Sequence, residues 1–549
     1  MINMNSVIDF LKHKKRYEII LKGLIALIFP LILCVIYLAI RGKTIGDVYL
    51  PESEWNDELY YFKQVEGILD YGYPQGYFGF NESHAEVLSF AAWSPVLVFP
   101  WLIWGAIFGW NLLTPIICNI VLLGLACLAF VLLTKPNIKQ MITLGVLMSV
   151  FIIFVRYMLS GMPEVICFSL AIIFISLAYN ALTDDKIWKI IILFVMAAVM
   201  TLMRPYLLLF LLLPIYMMIR KKKILGIVIS AGVLAVTLAA YACIKKFFGA
   251  DYFAPLFFTD WLTDFFKLGF VTGLDNFVHK VYYMSRDFVS YSIKGIRVGD
   301  RVGAFFVTYI VMMIIFIVQT VIDFVSLIVK KDKEQKNRSA DDRSDKDKLE
   351  SKKNYARFVM ECHYMISLFG MLTALILMYK LEEGSKHLLT FIAAGIFIIV
   401  LLNNKTYIKY IAMAACFVFF FIIKGTSHYD YDVPFVNEQT VEKQETWEKV
   451  FADEIKFTDD APNFDNVVIW NWRANKNGNP ENMKWQRLYA LPSGCGISCC
   501  YSDYVIENID SLNSKYITTL AGSDVDILLT EKGYEKIYAD EETAFYRLR

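Results

Sequence analysis

Asp57 and Glu58 are adjacent carboxylates at the head of the stretch Trp55-Asn56-Asp57-Glu58-Leu59-Tyr60-Tyr61, which continues as an amphipathic pattern to Tyr71. Two readings are open for such a pair. Acidic residues favour the first turn of a helix, where they offset its macrodipole. Alternatively, one of them takes the proton of an attacking hydroxyl as a general base. Their company favours the second reading. A glycine- and tyrosine-rich stretch (Tyr71 to Tyr77) follows, then Trp93-Ser94-Pro95 at the head of an apolar run. Further along stand Ser160-Gly161-Met162-Pro163-Glu164, Arg204-Pro205 and Gly384-Ser385-Lys386-His387, with Arg286, Arg297 and Arg301 between them. Cations near a carboxylate at a membrane surface suit a phosphate leaving group, whose developing charge needs donors where water is scarce. Singly, each cation also reads as a side chain snorkelling to lipid headgroups. Arg204 stands apart because it separates two apolar runs that barely part; Arg156 is a weaker version of the same case.

These residues are carried by a chain built for lipid. Of its 549 residues 57% are hydrophobic and only 19% charged, with a mean hydropathy of +0.47. Soluble domains run nearer half apolar and a quarter charged, so a soluble enzyme is excluded, and a formal charge of +1 offers no basic surface for nucleic acid. Apolar segments near residues 19–40, 111–133, 141–157, 163–181, 187–203, 205–219, 224–243, 303–329, 358–380, 387–402 and 407–424 suggest a polytopic α-helical membrane protein of about eleven transmembrane helices.

Basic residues orient the spans. Lys12 to Arg16 precede the first one, which places the N-terminus in the cytoplasm, and alternate connections carry Lys135 and Lys139, Lys186 and Lys189, Arg220 to Lys223, the charged run 330–357, and Lys405 and Lys409. That parity holds only if residues 94–109, broken at Pro100 and studded with Trp, form an interfacial helix. Residues 1–424 then form the membrane domain. Its first external loop is 41–110 and its second large external loop is 244–302. The run 330–357 reads as a disordered cytoplasmic linker. Within 41–93 the loop holds nine acidic against three basic residues. The tail 425–549, with 22 acidic against 12 basic residues, reads as a small extracytoplasmic α/β domain. Cys495, Cys499 and Cys500 fall in this exported part, where a disulfide between Cys495 and one of the other two is expected. The scattered histidines show no zinc spacing.

In the order and common sidedness of these motifs, residues 15–425 resemble the GT-C superfamily of polytopic glycosyltransferases, such as protein O-mannosyltransferases and the aminoarabinose transferases of lipid A. The family hallmark is an acidic motif in the first external loop, here Asp57 and Glu58 with Tyr60, followed by a proline motif, here Trp93-Ser94-Pro95 where relatives often carry His-Pro-Pro. The resemblance implies an integral plasma-membrane enzyme that moves a hexose or pentose from a polyprenyl-phosphate donor to a hydroxyl of a cell-surface polymer, glycolipid or protein. Asp57 would be the base, with Glu58 assisting or capping. Tyr60, Glu164, Arg204, Arg286, Arg297, Arg301, Lys386 and His387 would bind substrates. On the cofactor it leaves two alternatives, since oligosaccharyltransferase relatives use a divalent metal (Mg or Mn) and the mannosyl- and aminoarabinosyltransferases do without. Asp57 and Glu164 alone are too few ligands for an octahedral ion. The abundance of Lys, Ile, Asn and Tyr suggests an AT-rich bacterial genome. The rival classes are a lipid-linked glycan carrier or flippase, which calls for ionisable residues at span midpoints and two symmetric halves, and a non-catalytic envelope assembly protein, which has no need of Asp57. The topology has a direct test. A cysteine at Ser427 is expected to react with an impermeant thiol reagent outside intact cells and one at Ser339 to stay protected; the reverse pattern would mean that residues 94–109 cross.

Overall fold

An apolar segment in lipid satisfies its backbone only as a helix or a closed barrel, and the described apolar segments of the first 424 residues take the helical solution. In the computed structural model the described residues are 4–72, 77–82, 94–248, 260–337, 345–379, 381, 385–402, 407–424, 432–456, 464–472 and 485–549. Residues 73–76, Trp93, Gly384, Ser339 and Ser427, invoked above, lie outside them. The helices in order are α1 (Met4–Ile40), α2 (Asp57–Tyr71), α3 (Phe99–Phe108), α4 (Thr114–Thr134), α5 (Ile138–Val150), α6 (Ile153–Met158), α7 (Glu164–Asp184) and α8 (Ile187–Met203). They continue with α9 (Leu212–Phe248), α10 (Asp260–Lys267), α11 (Phe270–Val298), α12 (Arg301–Asn337), α13 (Asp345–Met378), α14 (Leu388–Leu401), α15 (Ile408–Phe417) and α16 (Glu438–Glu454).

Among the described residues six stretches are long and apolar enough to cross a membrane: Tyr17–Ile40, Thr114–Thr134, Glu164–Asp184, Pro205–Ile244, Arg301–Ser326 and Glu350–Met378. The expected count of eleven is larger for two reasons. Pro205–Ile244 holds two expected spans, because the helix breaks at Lys223 (φ 50°, ψ −122°) and doubles back. A side chain at Gly226 would collide with the Met218 carbonyl, a contact possible only if the chain reverses there. Four other expected spans fall on helices of 10–17 residues. One of them is interrupted at Phe151, between α5 and α6, and another passes from α15 into a π-helical turn, Val418–Ile423. The 10-residue α3 is ~15 Å long, half the thickness of a hydrocarbon core. Its C-terminal flank stays near α2, with Trp110 stacked 5.1 Å from Phe62.

The basic connections gather at one end of the bundle. Lys22 of α1 donates to the Pro136 carbonyl (3.3 Å), Gln140 to that of Val400 (2.8 Å), and Lys221 at the α9 hairpin meets Asp185 (3.3 Å). Lys409 donates to Gln319 (3.2 Å) at the same end. The run expected to be a disordered linker is largely helical: α12 continues to Asn337 and α13 starts at Asp345. Lys, Glu and Gln are good helix formers, and a helix already nucleated by packing extends through them cheaply.

At the opposite end the acidic loop and the tail form one unit. The tail folds around a six-stranded sheet in the order β1-β3-β2-β4-β6-β5, with β2 (Val467–Trp472), β3 (Gly496–Tyr501) and β4 (Tyr516–Leu520) parallel, and β5 (Glu535–Ala539) and β6 (Thr543–Arg547) antiparallel. Its edge strand β1 (Tyr77–Phe80) comes from the first loop and pairs parallel with β3, so the α/β unit is not confined to residues beyond 424. Glu82 completes the joint. Its carboxylate accepts the backbone N–H groups of Asn513 (2.9 Å) and Ser514 (2.6 Å), and its own N–H donates to Ser498 (3.1 Å). Cys495, Cys499 and Cys500 are buried free thiols rather than the expected disulfide of Cys495 with one of the other two; Cys499 meets Tyr60, and Cys500, on the opposite face of β3, lies in the second, smaller core. Glu82→Ala leaves two N–H groups without their acceptor, a loss of about 1–3 kcal/mol per buried donor. Hydrogen exchange at Asn513 and Ser514 is expected to accelerate markedly while exchange in α7 is unchanged.

Candidate active site

Three helix breaks and one helix start bring the charged residues together. Proline disfavours the helical conformation in the residue before it. Arg204 accordingly sits extended before Pro205 (φ −145°, ψ 118°), which ends α8 and turns its side chain into the bundle. Pro163 stands at the N-cap of α7, so Glu164 is that helix's first residue. Between α6 and α7 the Ser160 hydroxyl donates to the Tyr157 carbonyl (2.7 Å) and accepts from the Met162 N–H (3.2 Å), replacing lost helical bonds. Asn119 of α4 holds this break in place. Its amide donates to the carbonyls of Ser160 (3.1 Å) and Met162 (3.3 Å) and accepts from the Trp101 indole (3.0 Å).

The resulting cluster has a closed floor and an open rim. On the floor, Arg204 has no exposed surface; it donates to Glu164 (2.7 Å) and to Nδ1 of His387 (2.6 Å). Arginine is only a donor, so Nδ1 bears no proton. His387 is therefore the neutral tautomer protonated on Nε2, which donates to the Tyr379 hydroxyl (3.1 Å), while the Tyr206 hydroxyl approaches Nδ1 (3.2 Å). A second buried pair lies alongside, Glu58 with Arg156 at 3.8 Å, and the Arg156 guanidinium also stacks 3.7 Å over the Trp55 ring. Gly161 packs against the Glu58 side chain, which joins the helix break to α2. On the rim, Asp57 and Lys386 form an ion pair at 2.5 Å with side chains 37% and 29% exposed.

The two neighbouring carboxyls are tuned apart. Burial pushes Glu58 up to about 7; Arg156 opposes this and the Asp57 charge adds to it. Burial acts in the same direction on Asp57, but Lys386, with Arg204 and Arg301 behind it, holds that carboxyl below its ordinary value. Asp57 is therefore the ionised member of the pair at neutral pH.

Of the residues expected from the sequence, Asp57, Glu58, Glu164, Arg204, Lys386 and His387 meet in this cluster, and Arg301, at the start of α12, is close enough for its charge to act on Asp57. Three do not. Arg286 and Arg297 are exposed on α11, the former beside its neighbour Asp287 (2.9 Å). Tyr60 points away, its hydroxyl 3.2 Å from Cys499. The helical repeat places the residue four after Asp57 on its own face, and Tyr61 is the tyrosine that senses Arg204, Asp57 and Glu164. Asn119, Tyr206 and Tyr379 were missed. Only Asn119 left a usable signal, as a polar residue inside an apolar span.

Asp57 and Glu164 are each held by a cation of the chain, and among the described residues no three His, Cys, Asp or Glu side chains group for a metal.

No family model matches the chain, and no curated protein does. Among solved structures it is similar to the Archaeoglobus fulgidus oligosaccharyltransferase tethered with an acceptor peptide, at TM-score 0.44 and 12% identity, covering 97% of this chain and 74% of that one. The same enzyme in complex with Zn and sulfate gives TM-score 0.43 at 12% identity, covering 96% and 72%. The archaeal oligosaccharyltransferase AglB from Archaeoglobus fulgidus, in complex with an inhibitory peptide and a dolichol-phosphate, gives 0.43 at 11% identity, covering 95% and 73%. A likeness this loose assigns no chemistry; the chain's own residues must do so.

Glu58 leaves a measurable trace in stability. Its folded value of about 7 lies above the ordinary 4.5, so the folded state holds the proton more tightly than the unfolded one. That contribution is complete below pH 4.5 and is lost as pH rises through about 7. Glu58→Gln is expected to remove this decline, so that chemical unfolding of the variant changes less with pH across the window than that of the wild type.

Proposed function

We propose that this chain is a multi-pass membrane glycosyltransferase that transfers a sugar from a polyprenyl-phosphate-linked donor to a hydroxyl on a cell-surface polymer, glycolipid or protein. The reaction would take place on the outer face, with the N-terminus cytoplasmic and the α/β unit outside. One observation carries the reading: a half-exposed Asp57–Lys386 pair lies at the bundle end that bears the acidic loop, over a floor of two buried ion pairs.

In this reading the rim does the chemistry and the floor holds it in shape. Asp57 takes the proton of the acceptor hydroxyl as it attacks the sugar's anomeric carbon. Lys386, with Arg301 behind it, meets the phosphate oxygens on which negative charge grows as the sugar leaves. A phosphate arriving between them draws Lys386 off Asp57, which restores basicity to a carboxylate that the ammonium otherwise suppresses. Arg204 then belongs to the scaffold rather than to the phosphate, because it is fully buried with Glu164 and His387 as partners. A carrier is the weaker alternative, since the buried charges lie toward the two ends of the bundle, Glu58, Arg156, Glu164 and Arg204 at one and Lys189, Glu361 and Lys409 at the other.

The three residues separate under substitution. Asp57→Asn is expected to lower transfer by roughly 10²–10⁴ with folding intact. Lys386→Ala is expected to weaken binding of a polyprenyl phosphate by about 1.5–3 kcal/mol, the worth of a charge-assisted contact. Arg204→Ala strands Glu164 and is expected to lower unfolding stability by about 3–5 kcal/mol. Wild-type turnover in purified Asp57→Asn protein, or unchanged phosphate binding without Lys386, rules out this arrangement.

A further inference from the structure

The helix α11 (Phe270–Val298) carries an apolar stripe that the protein leaves uncovered. Leu274, Val278, Tyr282, Val289, Ile293 and Ile296 recur at spacings of three, four and seven, which lines them along one face of a helix. Each is 43–62% exposed.

Anchors near both ends of this stretch hold it flat along the rim. The Trp261 indole of α10 donates to the Leu377 carbonyl at the end of α13 (2.9 Å) and packs on Phe277 (5.2 Å), while Asn276 is tied to Asp264 (2.8 Å). Near the other end, Lys424, where the last bundle helix ends, donates to the Arg297 carbonyl (2.8 Å). Leu377 and Lys424 terminate helices at the site end, so the ~20 residues between the anchors run roughly 30 Å across that end rather than down into the bundle. Further down α12, Ile314, Val318 and Val321 are likewise exposed. In the C-terminal half of α11, Arg286, Lys294 and Arg297 flank the stripe on its exposed side, and Asp287 is the acid among them.

We infer that α11 is a lipid-docking helix that lies in the outer leaflet beside the site, with its stripe among acyl chains and its basic flank on the phosphates of anionic headgroups. The basic residues beside the stripe favour an anionic lipid surface over a second polypeptide as what covers it. The acyl region accepts such a stripe directly, and long cationic side chains beside it reach up to headgroups. Arg286 and Arg297 thereby acquire phosphate partners of a different kind from the one proposed for Lys386. The inference requires only that the bundle sits in a membrane, not that it transfers sugar.

Photocrosslinking of the full-length protein tests it. A benzophenone amino acid is placed singly at Val278, Ile293 or Ser290, the last lying off the stripe. Each protein is reconstituted in vesicles of equimolar phosphatidylglycerol and phosphatidylcholine, irradiated, and analysed by mass spectrometry. Lipid adducts are expected to be several-fold fewer from Ser290, which shares the headgroup-facing flank with Arg286 and Lys294, than from Val278 and Ile293 among the acyl chains. Phosphatidylglycerol adducts are expected to exceed phosphatidylcholine adducts roughly fivefold, the worth of about one net basic residue at an anionic surface. With Arg286→Gln, Lys294→Gln and Arg297→Gln combined, the ratio is expected to fall to about one while the Val278 probe still captures lipid, which shows that the helix remains in place. Adducts to a second copy or another polypeptide at the stripe, equal lipid capture from Ser290, or no headgroup preference in the unsubstituted protein would overturn the proposal.

Discussion

A guanidinium with no exposed surface has to be neutralised by the chain that buries it, and Arg204 imposes that requirement on everything around it. It reaches Glu164 at the first turn of α7 and His387 just before α14, so three separate segments must converge on one point. Pro205 and Pro163 set the breaks that make the convergence possible. His387 in turn holds Tyr379 and Tyr206, which spreads the constraint to the end of α13 and the start of the α9 hairpin. The neighbouring Glu58–Arg156 pair repeats the arrangement between α2 and α6. What remains at the rim, Asp57 with Lys386, is held from beneath by charges that are already matched.

The helix that carries Asp57 is fixed from its other side by the α/β unit. Tyr60 meets Cys499, and Lys63 donates to the Leu491 carbonyl (2.6 Å). The Gln486 amide reaches the Ser53 carbonyl just ahead of α2 (3.2 Å). With β1 paired into the sheet and Glu82 seated on the backbone of Asn513 and Ser514, the first loop is threaded through the tail rather than resting on it. The tail therefore supports α2 whatever else it does, and its position bears directly on Asp57.

Burial gives the two adjacent carboxyls different work. Asp57, beside an ammonium and partly open to solvent, is ionised; Glu58, one residue on and fully buried, shares its proton near neutrality. Neighbours on a helix point about 100° apart, which is enough here to send one to the rim and the other to the floor. Stray charge is costly in lipid, and of the charges in this cluster that partition leaves Asp57 and Lys386 as the pair open to solvent.

Composition and periodicity alone determined that this is a helical, multi-pass chain, because lipid leaves a continuous apolar segment few alternatives and leaves that signature in the sequence itself. Arg204 stood out by type, as an ionisable residue between two apolar runs, whereas Asp57, Glu58, Glu164, Lys386 and His387 came from the order of the motifs and the GT-C resemblance they carry. Pairing was a different matter. Asp57 and Lys386 lie 329 positions apart, and Arg204 and His387 183, so their contact depends on how helices stack, about which local spacing is silent. Tyr60 and Tyr61 are alike as letters and were separated only by which face of α2 the tail covers. Arg286 and Arg297 are cations at the same end of the bundle as Lys386, yet α11 holds them along the rim, exposed and away from Asp57. Residue chemistry is local and can be read along the chain; which charges share a buried point is set by packing, and only the tertiary structure decided it.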